Sequence, residues 1–145
     1  MDNNEGTGAH LVSDEEASEE VAALFREIRD TQREGFVSNF WRALANDPAL
    51  LRATWQRTRS VMAEQRESGL DPLTKEIVYL AVSVANGCTY CVHCHTARAQ
   101  GAGMTDQQYA DLLDVLAIAS QTAALANGLK VPVDEVFQNP ALREP

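Results

Sequence analysis

The sequence predicts an all-α protein, and three observations carry that reading. Apolar residues recur three and four positions apart along most of the chain. Helix-opening pairs at Asp47-Pro48, Asp71-Pro72 and Thr105-Asp106 alternate with closing signals at Gly35, Ser68-Gly69 and Asn86-Gly87. No convincing strand pattern, hairpin signal or internal repeat interrupts them.

Taken in order, residues 1–12 form a polar, flexible tail. Ser13 followed by Asp14, Glu15 and Glu16 opens the first helix, because acidic groups favour the positive end of the helix dipole. Val21, Leu24, Phe25 and Ile28 mark its apolar face, and Gly35 ends it. The segment "SNFWRALAN" is a short helix stopped by Asn46-Asp47. Asp47 as N-cap and Pro48 in the first turn open a third helix to about Glu64, with Leu51, Trp55, Thr58 and Met62 facing inward. Asp71-Pro72 opens a fourth, striped by Leu73, Ile77, Leu80 and Val84 and closed by Asn86-Gly87. The cysteine segment that follows is helical to about Gln100, ending at Gly101 or Gly103. Thr105-Asp106 then caps an Ala- and Leu-rich stretch, one helix or two, so apolar that more than one face must be covered. "VPVDEVFQ" gives a last helical turn.

The chain's 145 residues make one domain, with 13–138 as a compact multi-helix body between tails 1–12 and 139–145. A formal charge of −9 argues against nucleic acid or an anionic membrane as partner. No run reaches the roughly 18 apolar residues of a membrane helix. The first twenty residues have neither basic nor apolar signal-peptide regions, so a cytoplasmic location is expected. Cysteines in that compartment point to catalysis or metal binding rather than structural disulfides.

All three cysteines and two of the three histidines fall in "CTYCVHCH", residues 88–95. Cys88-x-x-Cys91 with His95 reads as a redox dithiol with a base, whereas Cys91-x-x-Cys94-His95 reads as a haem attachment site. Helical geometry separates them. With each residue turning by about 100° and Cys88 at zero, Cys91 lies near −60° and His95 near −20°, but Cys94 near −120° and His93 near 140°. Cys88, Cys91 and His95 therefore share a face. Cys88 sits at the helix start, where free N–H groups and the dipole lower a thiol's pKa below its ordinary value of about 8.5. Two cysteines three apart at a helix start can close a disulfide, and His95 is placed to take a thiol proton. A preceding helix packed antiparallel would bring Glu76 back to His95, to orient the imidazole or pass a proton. Glu76 taken alone is more simply a surface carboxylate.

The other readings are blander or poorer. Haem would leave Cys88 and Glu76 without purpose and calls for an exported protein. A structural zinc site draws on two separated ligand pairs, and no second pair exists besides His10 in the tail. A thioredoxin fold needs a βαβ setting for its C-x-x-C. Cys94 is most simply a small buried hydrophobe, His93 an exposed residue, and Trp41 and Trp55 core residues. Tyr90 divides evenly between packing and lining the site.

Glu76, Cys88-x-x-Cys91 and His95 resemble the E-x11-C-x-x-C-x3-H signature of the alkylhydroperoxidase D-like group in the carboxymuconolactone decarboxylase family. "SNFWRALANDPALLRATW" is also similar to that family's usual entry and "LTKEIVYLAVSVANGCTYC" to its central helix followed by the dithiol, so the resemblance spans about residues 36–115. It implies an all-α subunit assembling into homo-oligomeric trimers or hexamers and reducing a small hydroperoxide, with an external dithiol or disulfide reductant protein supplying electrons and no bound cofactor or metal. Carried over by position, Cys91 is the peroxidatic thiol, Cys88 the resolving thiol, His95 the base and Glu76 the far end of a proton relay. Tyr90 stands where some members carry a histidine, and Cys94 is extra to the signature. The same dithiol also suits a disulfide reductase. A decarboxylase acting on a lactone acid, which needs no cysteines, and a non-enzymatic redox sensor are the alternatives.

Overall fold

The structure, a computed structural model, describes residues 8–32, 34–64 and 66–139. Its described residues are helices and connecting turns, with no strand among them. The tail expected at 139–145 lies outside the described residues beyond Asn139, as does the tail at 1–12 before Gly8. The chain gathers into two compact units that meet in sequence between Gly69 and Leu70.

The first unit contains α1 (Glu19–Thr31), α2 (Asn39–Leu44) and α3 (Pro48–Thr58), the last continuing into a π-helical turn, Arg59–Ala63. Its core is largely the set the spacing predicts, except that Thr58 and Met62 are only half-buried and Val12, Val37 and Ala45 join it. Val21, Leu24, Phe25 and Ile28 from α1 meet Trp41 from α2 and Leu51 and Trp55 from α3. Phe25, Ile28 and Leu51 are almost wholly enclosed, each contributing about 1.5–3 kcal/mol of hydrophobic stabilisation. Trp41 meets Trp55 edge to face, with ring centroids 5.4 Å apart.

The start of α1 differs from the sequence expectation. Ser13 and Glu16 do exchange the two hydrogen bonds of a capping box, but around an isolated turn. The helix starts five residues later, with Ser18 as N-cap accepting from the Val21 N–H. Arg29 and Arg42 both pair with Asp14 and hold that first turn against the unit. Residues 10–12, assigned to a tail by sequence, are also held. Val12 is buried and its carbonyl accepts from Arg42 Nη1 at 2.9 Å, while the His10 carbonyl accepts from Asn46.

The second unit contains α4 (Pro72–Ala85), α5 (Thr89–Gly101), α6 (Asp106–Gly128) and α7 (Glu135–Gln138). Asp71 caps α4 by accepting from the Thr74 N–H, and Thr105 with Gln108 forms a full capping box on α6. Leu80, Ala99 and Met104 form the buried centre, ringed by Leu73, Ile77, Val84, Val92, Tyr109 and Leu112. The Ala- and Leu-rich stretch is one 23-residue helix. Tyr109 and Leu112 turn one side of it to the core, while Val115, Ile118 and Leu125 lie exposed on another.

Candidate active site

The site is built where α4 ends and α5 begins. Asn86 caps α4, Gly87 takes the left-handed conformation at φ +69°, and the chain closes a Schellman motif. Its two bonds run from the Cys88 N–H to the Ser83 carbonyl at 3.0 Å and from the Gly87 N–H to the Val84 carbonyl at 3.1 Å. Cys88 is at once the last residue of that motif and the N-cap of α5, where its Sγ accepts from the Cys91 N–H at 3.3 Å. The turn between the two helices thus sets the first sulfur on the open end of the second helix.

Cys88 and Cys91 are joined in a disulfide with Cα atoms 5.3 Å apart. The dithiol is therefore seen in its oxidised form, closed across the first turn of α5. Cys94 lies outside the disulfide and is half-buried, more open than the enclosed hydrophobe expected of it. His93 is exposed, and so is Tyr90 between the two bridged cysteines.

One helical turn beyond Cys91, His95 is buried at 6% exposure. Its Nδ1 lies 2.6 Å from Glu76 Oε2, both side chains well enclosed. Glu76 reaches it because α4 and α5 pack side by side as an antiparallel hairpin, so the early turns of α4 lie beside the later turns of α5. A carboxylate oxygen accepts, so Nδ1 donates, and the pair leaves Nε2 to face other chemistry. Glu76 is consequently not the surface carboxylate its residue type alone would suggest.

The structure brings together Glu76 with His95 and Cys88 with Cys91, and all four belong to one hairpin within the second unit. Sequence reasoning missed Tyr79. Its ring stacks on the His95 imidazole with centroids 3.6 Å apart and planes 18° from parallel. The available signal was its place three residues after Glu76, on the same side of α4. Ser83, one turn further on, is buried; its Oγ donates to the Tyr79 carbonyl at 2.8 Å.

Comparison with known proteins gives a family and a related fold. Residues 48–134 match the model of the carboxymuconolactone decarboxylase family. The fold is similar to the crystal structure of the alkylhydroperoxidase AhpD core from Rhodospirillum rubrum, at a TM-score of 0.86 and 48% sequence identity over 92% of this chain and 99% of that one. Among curated proteins nothing matches. The chain belongs to the carboxymuconolactone decarboxylase family, as an alkylhydroperoxidase AhpD-like member.

Proposed function

We propose that the protein is a thiol-dependent peroxidase that reduces small organic hydroperoxides. The observation that carries this reading is the Cys88–Cys91 disulfide closed at the N-terminus of the helix that also bears the Glu76-bound His95. In the reduced protein His95 takes the Cys91 proton through Nε2, and Glu76 steadies the imidazole through Nδ1. The Cys91 thiolate attacks the O–O bond, becoming a sulfenic acid, and the alkoxide leaves with the proton from His95 as an alcohol. The Cys88 thiol condenses with the sulfenic acid, releasing water and forming the disulfide. An external dithiol, a small molecule or a reductant protein, then exchanges with that disulfide and restores both thiols. A reducing cytoplasm is the setting in which this cycle turns over.

The same reading includes self-association. Val115, Ile118 and Leu125 lie at helical spacing along a side of α6 that presents apolar surface to solvent. A second copy of the chain is the occupant proposed for it, in a trimer or hexamer.

Consumption of cumene hydroperoxide by the reduced protein, followed with thiol counting, tests the enzyme. Two thiols lost per hydroperoxide, and no turnover in Cys88→Ser or Cys91→Ser, is the expected result. Intact proteins that lose no thiols to hydroperoxide overturn it. Lactone-acid decarboxylation that survives both serine substitutions would instead establish the decarboxylase chemistry for which the family is named.

A further inference from the structure

His95 is held from two directions, and only one of them belongs to the dithiol signature. The Glu76 carboxylate lies on the ring edge at Nδ1, 2.6 Å away, and fixes how the imidazole is turned within its own plane. It does little to prevent the ring from tilting about that bond. Tyr79 lies on the ring face, with centroids 3.6 Å apart and planes 18° from parallel, and blocks the tilt. An edge constraint and a face constraint together determine where Nε2 points.

The backbone that carries Tyr79 is anchored, although 40% of the residue's surface is open. Ser83 ties its carbonyl down through Oγ, and the Ser83 carbonyl in turn receives the Cys88 N–H at 3.0 Å. The turn that carries the stacking ring is therefore linked through one buried serine to the turn that carries the first sulfur. A ring stacked on imidazole also meets the charge that forms when His95 accepts a thiol proton, because a cation is attracted to an aromatic face within about 6 Å.

We propose that Tyr79 is a positioning residue for His95, fixing the tilt of the imidazole so that Nε2 serves the Cys91 thiol. The proposal rests on the dithiol reading of the site but not on the identity of the oxidant. The aromatic face supplies the effect, so phenylalanine replaces tyrosine and an aliphatic side chain does not.

The test is the rate at which iodoacetamide alkylates the fully reduced protein at fixed pH, which reads thiol reactivity without any peroxide. Tyr79→Leu is expected to slow alkylation on the order of tenfold, in keeping with the cost of a misplaced catalytic group. Tyr79→Phe stays within about twofold of the parent on the same argument. In a His95→Ala background the Tyr79→Leu substitution makes no further difference, the result a double-mutant cycle gives when one residue acts through another. A Tyr79→Leu protein as reactive as the parent overturns the proposal, and so does a loss of equal size with His95 absent. Should the leucine variant fail to fold, the parent protein decides alone. Its His95 ring protons are expected upfield under the tyrosine ring current, and ordinary positions overturn the proposal. If the cycle holds while the parent consumes no hydroperoxide, the peroxidase reading falls and the role of Tyr79 stands.

Discussion

The Cys88 amide donates to the Ser83 carbonyl at 3.0 Å, so the bond that finishes α4 also fixes the residue that starts α5. One turn of chain serves as C-terminal motif, connection and N-cap, and a sulfur stands at its end. Gly87 makes this possible through a positive φ of 69°. A Cβ added there meets no atom within 4 Å, so a substitution is penalised by the backbone alone.

Gly87→Ala is accordingly expected to lower stability by about 1–2 kcal/mol, the cost of a left-handed residue with a Cβ. Gly87→Asn costs less, since its short polar side chain tolerates that conformation. Urea unfolding of the three proteins gives the order, and equal stability of parent and alanine variant would contradict the account.

The opposite experiment is available at Lys130, which holds the same place after α6 with φ 51°. Its N–H bonds to Asn127 at 3.2 Å and the Val131 N–H to Ala126 at 3.0 Å, the same Schellman pattern built on an unfavourable residue. Lys130→Gly is expected to raise stability by up to about 1 kcal/mol, part of the gain being offset by the freer unfolded chain. Denaturant midpoints measure it.

Removing Glu76 exposes how much the site depends on the buried pair. Glu76→Ala leaves the enclosed Nδ1 of His95 without its acceptor, at a cost of about 1–3 kcal/mol in stability. Under the proposed mechanism it also slows hydroperoxide turnover on the order of a hundredfold. Glu76→Gln, which keeps an acceptor oxygen, recovers most of the stability. Thermal unfolding and peroxide consumption read the two effects separately.

Acid tests a different part of the molecule. Hydrogen bonding from Arg29 first, and from Arg42 after it, holds the Asp14 carboxyl below its ordinary value of 3.8. The Thr74 hydroxyl, then the Thr74 N–H, does the same for Asp71 at the start of α4. A depressed folded-state value means the stabilisation is full above the ordinary value and is lost as pH falls through the folded one. The unfolding midpoint should therefore drop as pH is lowered below 3.8, and less steeply in Asp14→Asn or Asp71→Asn than in the parent. Parallel curves would remove these two groups from the explanation.

Placing a charge on the open side of α6 tests assembly. Ile118→Glu leaves the core residues Tyr109 and Leu112 untouched and is expected to shift the protein to smaller species in sedimentation. An unchanged distribution would show that this surface joins nothing.

The helix starts were legible because their signals are local. Asp47-Pro48, Asp71-Pro72 and Thr105 declare themselves within four residues, and each caps the helix expected of it. "SDEEASEE" offers two serines with acidic followers, and Asp14's pairing with two distant arginines accompanies a start at the second. Glu76 and His95 were readable as a pair because two adjacent helices with a tight turn must fold back on each other. The Tyr79 stack was not, since periodicity assigns a side chain to a face but not to a particular ring across the interface. The π-helical turn after α3 has no signature in residue order at all.

The sequence separation of nineteen from Glu76 to His95 is the longest within the four-residue centre. Entropy of ring closure grows only with the logarithm of the intervening length. Gathering these groups thus asks for little conformational search, and a nascent chain that has released the α4–α5 hairpin already holds every group assigned to the proposed thiol chemistry.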